Sequence, residues 1–162
     1  MKKHFKFVAC LLSIAIVFFS GLSSLQAETI EKVKTSMQML KEKTSYLGAP
    51  KLEGNTLYFG DMEMNGYYDV VDEVADYNGG TATIFAVFGD EYKRIATNVI
   101  KDGNRAVGTI LDPHGTVIKK IRNGEAYYGE ADILGTKYIT GYEPIIDASS
   151  KIIGILYVGY KI

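Results

Sequence analysis

The chain has 162 residues, with 18 Lys and Arg against 19 Asp and Glu, 12 tyrosines, no tryptophan and one cysteine. That length suits one domain rather than two. A near-neutral, slightly acidic balance gives no basic footprint for nucleic acid or for an anionic membrane surface, and a single cysteine excludes a disulfide framework.

The N-terminus reads as a targeting segment. Lys2, Lys3 and Lys6 form a positive start, and Phe7 to Leu22 is an apolar run broken only by Ser13, Ser20 and Gly21. Ser23 and Ser24 follow, then Leu25-Gln26-Ala27 ahead of Glu28. This is the order of a secretory signal peptide with a small residue at the cut, placed after Ala27. Residues 1–27 are thus the expected signal peptide and 28–162 the mature domain, periplasmic or secreted. The alternative is an uncleaved helix anchoring the protein to the inner membrane. The signal holds three of the basic residues, none of the acids, and the only cysteine, Cys10, so the mature part has a net charge of −4 and no thiol.

Residues 29–47 read as a helix closed by Gly48, giving an N-terminal helical unit over 28–48. Ile30, Val33, Met37, Leu40 and Leu47 recur at spacings of three and four, and Ala49-Pro50 blocks continuation. The stripe is narrow. It either packs on the protein's own sheet or forms a homodimer seam through Ile30, Val33, Met37 and Leu40. Thr56 to Phe59 is a short strand. Asn65 is placed to cap a helix over 67–77, with Tyr67, Val70, Val71 and Val74 on one side and Asp69, Asp72, Glu73 and Asp76 on the other.

The remainder reads as antiparallel sheet: a hairpin of 81–88 and 92–100 turning at Gly89-Asp90-Glu91, then a stretch from Arg105 to Leu111. Asp112-Pro113 has the cap-then-first-turn order that starts a helix, with Val117, Ile118 and Ile121 inward. Strands over about 126–133, 137–146 and 152–158 close the chain as a meander. The order defines an α+β domain with one sheet and helices on its faces.

Catalytic signatures are lacking. There is no G-x-S-x-G elbow and no H-E-x-x-H helix, and the mature part has one histidine, His114, in a helix-start turn. One histidine and no cysteine leave no triad and no usual zinc set, so no catalytic residue, metal ligand or cofactor is assigned. The carboxylates lie on a helix face or in turns, where solvated charge is the plainer reading than a glycosidase pair. What remains is tyrosine and a few arginines. Alternation puts Tyr138, Thr140 and Tyr142 on one face of their strand, and Tyr92, Arg94, Ala96 and Asn98 on one face of theirs. Arg105 follows the turn Lys101-Asp102-Gly103-Asn104. Tyrosine bodies with polar tips, and arginine forks for carboxylate, would make a pocket for a small organic anion. Equally, the tyrosines could be cross-strand packing pairs, and Arg105 a solvated residue or a partner of Asp102.

An ordered series of short motifs resembles a known family: Arg94-Ile95-Ala96-Thr97-Asn98-Val99, Asp102-Gly103-Asn104-Arg105-Ala106-Val107-Gly108-Thr109, Gly124-Glu125-Ala126-Tyr127-Tyr128-Gly129-Glu130-Ala131, Gly135-Thr136-Lys137-Tyr138, Tyr142-Glu143-Pro144-Ile145-Ile146-Asp147 and Ile153-Gly154-Ile155-Leu156-Tyr157-Val158-Gly159. The series resembles the single Cache domains of bacterial chemoreceptors and sensor kinases over about 55–160, and the preceding helix fits. The resemblance implies a PAS-like fold: a long N-terminal helix on a five- or six-stranded antiparallel sheet, with helices and loops on the other face. It implies a non-catalytic extracytoplasmic sensor of a short carboxylate or amino acid, acting in signal transduction or chemotaxis. A membrane receptor is a candidate partner and nucleic acid is not. The expected ligand-binding residues are Arg105, with Arg94 second, and Tyr127, Tyr138, Tyr142 and Asn98.

Overall fold

A computed structural model describes the backbone of residues 4–162 and the side chains of residues 26–162. Helix α1 (His4–Leu47) is followed by strands β1 (Pro50–Glu53), β2 (Thr56–Phe59) and β3 (Met62–Glu63), then α2 (Asp69–Asn78). Next come β4 (Thr81–Phe88), β5 (Glu91–Thr97), β6 (Ile100–Lys101), β7 (Asn104–Arg105), α3 (Thr116–Arg122), β8 (Tyr127–Ile133), β9 (Thr136–Ile146) and β10 (Ile152–Lys161). Among the described residues no helix is long and apolar enough to cross a membrane. The apolar run at 7–22, and nearly all of the expected signal peptide, lie outside the residues with described side chains.

The centre is a five-stranded antiparallel sheet in the order β5-β4-β10-β9-β8. The three C-terminal strands form the expected meander, and the chain's last strand lies beside its first long one. Helices α1 and α2 pack on one face. Val33, Met37 and Leu40 of α1 and Val70, Val71 and Val74 of α2 are buried there with Ala82, Ile84, Ile139, Leu156 and Val158 of the sheet. The three-and-four spacing of α1 therefore serves its own sheet. Val33 and Leu40 have no exposed surface, which removes them from any homodimer seam. Thr44 continues the buried stripe and satisfies its hydroxyl by donating to the Leu40 carbonyl at 2.9 Å. α1 stops at Leu47, where Gly48 takes a φ of 128° and its backbone meets Gly60; a Cβ on Gly60 would lie 2.1 Å from the Leu47 carbonyl oxygen.

On the opposite face α3 and the loops around it cover a second core of Phe85, Tyr92, Leu111, Ile118, Ile121, Ile133, Tyr142, Ile155 and Tyr157. The fold is thus α+β and PAS-like, with the long helix on one side of the sheet and a short helix with loops on the other.

Four local expectations change. The expected strand Thr56–Phe59 is β2, but it pairs with β1 and β3, for which no strand is expected, in a small separate sheet. Asn65 does not cap α2. Its Oδ1 accepts from the Leu57 N–H at 3.1 Å and its Nδ2 donates to the Asn55 carbonyl, so it pins β2 instead. Asp112 likewise caps no helix; its Oδ1 accepts from the His114 N–H at 2.9 Å, and α3 starts only after Gly115. The stretch 105–111 is strand only at Asn104–Arg105. Beyond it Gly108 turns at a φ of 84° and the chain crosses the edge of β5. There the Arg94 N–H donates to Thr109, Gly108 to Arg94, and Leu111 to Tyr92. This strap covers an edge strand that would otherwise present unpaired backbone groups.

The decisive irregularity is a β-bulge. Ile84 pairs with Ala96, but Phe85 pairs with Arg94, leaving Ile95 as an extra residue on β5. Alternation holds on each side of it but changes phase across it. Tyr92 and Arg94 face the second core, whereas Ala96 faces α1 and α2. The expected shared face of Tyr92, Arg94, Ala96 and Asn98 is therefore split between the two sides of the sheet.

Candidate functional site

The bulge turns Arg94, on the edge strand β5, to the α3 side of the sheet, over Phe85 of β4. Its residue exposure is 3 %, and it borders a cavity of about 440 Å³. The cavity lies between the sheet, the loop Ile110–Asp112, the start of α3 at Gly115 to Val117, and β8 from Tyr127 to Leu134. That volume falls in the range of small-molecule sites, about 300–1,000 Å³.

Arg94 is incompletely partnered. Its Nη1 donates to Thr109 Oγ1 at 2.6 Å, and its guanidinium carbon stands 4.9 Å from the Phe85 ring centroid. Among the described residues its Nε has no hydrogen-bond partner. Among the described residues no carboxylate lies within ion-pair distance of it. Burial draws its pKa below the ordinary arginine value, countered by the Tyr142 and Tyr157 phenols. Arginine nevertheless stays protonated in proteins, so the site holds a buried positive charge without a counter-ion.

Tyrosines form the wall beside it. Tyr127, Tyr142 and Tyr157 stand directly opposite one another across β8, β9 and β10, and the row continues through Thr83 to Thr97. The Tyr142 ring packs against Tyr157 at 4.9 Å and Tyr127 at 6.3 Å between centroids. Burial raises the pKa of both Tyr142 and Tyr157, so these phenols remain neutral donors. Tyr127 donates its hydroxyl to the Glu130 carbonyl at 2.6 Å and presents its ring to the cavity. Tyr138 shares the face of Tyr142 but sits against Gly159, away from the lining.

Arg105 and Asn98 lie elsewhere. Arg105 grips Asp72 of α2 through both terminal nitrogens, each at 2.7 Å, donates to the Thr97 carbonyl at 2.8 Å, and stacks 4.4 Å from the Tyr68 ring centroid. Its partner is thus Asp72, not Asp102, and the hydrogen bond to Asp72 raises its pKa. Asn98 accepts from the Ala82 N–H at 2.7 Å and donates to the Val71 carbonyl at 2.9 Å, tying α2 to β4. The geometry therefore gathers Arg94, Tyr127 and Tyr142 and leaves Arg105, Asn98 and Tyr138 outside the cavity. Tyr157, Thr109 and Phe85 complete the surroundings of Arg94. Tyr157 was readable as the central aromatic of the last strand, while Thr109 comes into place only through the strap.

The family model of the Cache 3/Cache 2 fusion domain matches residues 19–162, and the chain belongs to this family. No curated protein matches it. Among solved structures it is similar to the sensor domain of Escherichia coli DcuS, at 15 % identity and a TM-score of 0.48, covering 86 % of this chain and 90 % of that one. It is also similar to the ligand-binding domain of the Campylobacter jejuni chemoreceptor Tlp3 in complex with L-valine, at 11 % identity and a TM-score of 0.41, covering 88 % of this chain and 62 % of that one.

Proposed function

We propose that the protein is an extracytoplasmic, non-catalytic sensor domain that binds a small organic anion in the cavity beside Arg94 and works with a membrane receptor. The carrying observation is the buried, counter-ion-free Arg94 guanidinium on a cavity wall. An uncompensated buried charge is costly to the free protein, and a carboxylate entering the cavity would offset that cost with a bidentate pair. Tyr142 would add a neutral hydroxyl and Tyr127 an aromatic wall. Arg105, given its pairing with Asp72, serves to hold the strap to α2.

Export is read as cleavage after Ala27, releasing residues 28–162. The alternative is retention of residues 1–27 as an anchor ahead of the same domain. Intact mass of the native protein separates the two, a product starting at Glu28 against the full-length chain in a membrane fraction.

The binding reading is tested by a thermal-shift screen of organic acids and amino acids. A ligand at 100 times its dissociation constant stabilises by about 2.7 kcal/mol, a shift of several degrees for a domain of this size. A panel without any shift contradicts the proposal.

A further inference from the structure

We infer that the ligand carries a single carboxylate and no second anionic group. This rests on the reading of the Arg94 cavity as an anion site and follows from the charges around it. Among the described residues Arg94 is the one basic residue in the lining, and it is buried. One carboxylate neutralises it. A second carboxylate on the same ligand would meet no cation.

It would meet negative charge instead. Asp112 lines the cavity; its Oδ1 is held by the His114 N–H, while its Oδ2 packs over Gly115 with no hydrogen bond of its own. The acidic residues of β8 supply no compensation. Glu130 accepts from Gln26 of α1, across the sheet edge, and Asp132 accepts from the Gly135 N–H in the hairpin turn. Much of the remaining lining is apolar, with Ile110, Leu111, Val117, Ile133 and Leu134 beside the uncharged Thr116. Apolar walls favour a hydrocarbon end and disfavour a second anion, whose water they cannot replace. The chemistry that fits is a short monocarboxylate with an uncharged body, one negative charge for one positive.

The test compares two four-carbon acids, butyrate and succinate, which differ in whether the far end is a methyl or a carboxylate. Titration calorimetry on the full chain should show butyrate binding at least about tenfold tighter than succinate. Arg94→Ala should remove binding of both, with folding checked by circular dichroism. Asp112→Asn, a substitution at an exposed residue, should narrow the gap between them at least about threefold. Succinate binding as tightly as butyrate, with both lost in Arg94→Ala, overturns the single-charge inference and leaves the Arg94 site standing. Butyrate binding that survives Arg94→Ala in a folded protein, or no binding of either acid at millimolar concentration, overturns the inference together with the reading on which it rests.

Discussion

Arg94 and Thr109 are joined twice. The side chain donates from Nη1 to Thr109 Oγ1 at 2.6 Å, and the Arg94 backbone N–H donates to the Thr109 carbonyl at 2.9 Å. The Thr109 hydroxyl in turn donates a hydrogen bond to the Ala106 carbonyl at 2.7 Å. Arg94 is thus aimed by the strap that covers the β5 edge, and the strap's other end is clamped to α2 through Arg105 and Asp72. The buried charge and the helix are linked through one short segment.

Arg94→Met should leave the unliganded protein as stable as wild type or more so, while removing ligand binding. The substitution deletes a buried charge that no carboxylate offsets and keeps an apolar stem of similar length, so the free protein sheds a desolvation cost. Losing the buried partner of a ligand carboxylate costs about 2–5 kcal/mol of binding. Calorimetric melting and ligand titration on the same preparation check both halves. A lower melting temperature would mean that Arg94 is a structural residue.

Arg105→Ala should behave in the opposite sense. The Asp72 pair is about one-third exposed, so its loss should cost about 1 kcal/mol of stability. Ligand affinity should stay within about threefold of wild type, less than 1 kcal/mol. Denaturant melts and titration against the ligand found by screening provide the comparison. A complete loss of binding in a folded Arg105→Ala protein would move the ligand to the α2 side of the sheet.

Val33→Glu should unfold the domain rather than dissociate a dimer. Val33 has no exposed surface and lies between α1 and the sheet. Burying an unpaired carboxylate there costs several kcal/mol against a total stability of about 5–15 kcal/mol. Circular dichroism and light scattering should show a lost or greatly lowered transition. A folded monomer replacing a wild-type dimer would restore the seam reading.

Much of the fold was legible because its signals are local. The Val33-Met37-Leu40-Thr44 spacing gave α1 and its buried side, and β-branched and aromatic runs gave the five long strands. Three features depend on partners distant in sequence. The bulge at Ile95 inserts one residue into an apolar run, Ile95-Ala96, that is buried on either phase, so nothing in the pattern marks the change of face. Asp72 is 33 residues from Arg105, and only the docking of α2 brings them together. Asn65 and Asp112 carry the right residue type for helix caps, but nearby backbone N–H groups took their side chains first. The candidate site was therefore legible in its ingredients, arginine with tyrosine on the sheet, and not in which arginine.

High pH should destabilise the protein. Burial raises the pKa of Tyr142 and Tyr157, and burial with the Glu143 hydrogen bond raises that of Tyr128. An unfolded tyrosine titrates near 10, so above that pH the unfolded state holds fewer protons than the folded one. The contribution of these phenols is whole below about pH 10 and is lost as pH rises, by at most about 1.4 kcal/mol per pH unit for each of the buried Tyr142 and Tyr157 and by less for the half-buried Tyr128. Melting temperature against pH, followed with phenolate absorbance, should show unfolding and ionisation together. Free ionisation of all tyrosines in a folded protein near pH 10 would contradict the burial of this row.

The most direct test of the central claim is the nuclear magnetic resonance signal of the arginine side-chain Nε–H groups during titration with the acid that screening identifies. Arg94 Nε has no partner among the described residues, so the account predicts that its proton moves strongly downfield and gains protection from solvent exchange as the ligand binds, while the Arg105 signal stays near its starting position. An Arg94 signal that does not move at saturating ligand, with Arg105 shifting in its place, would contradict the account.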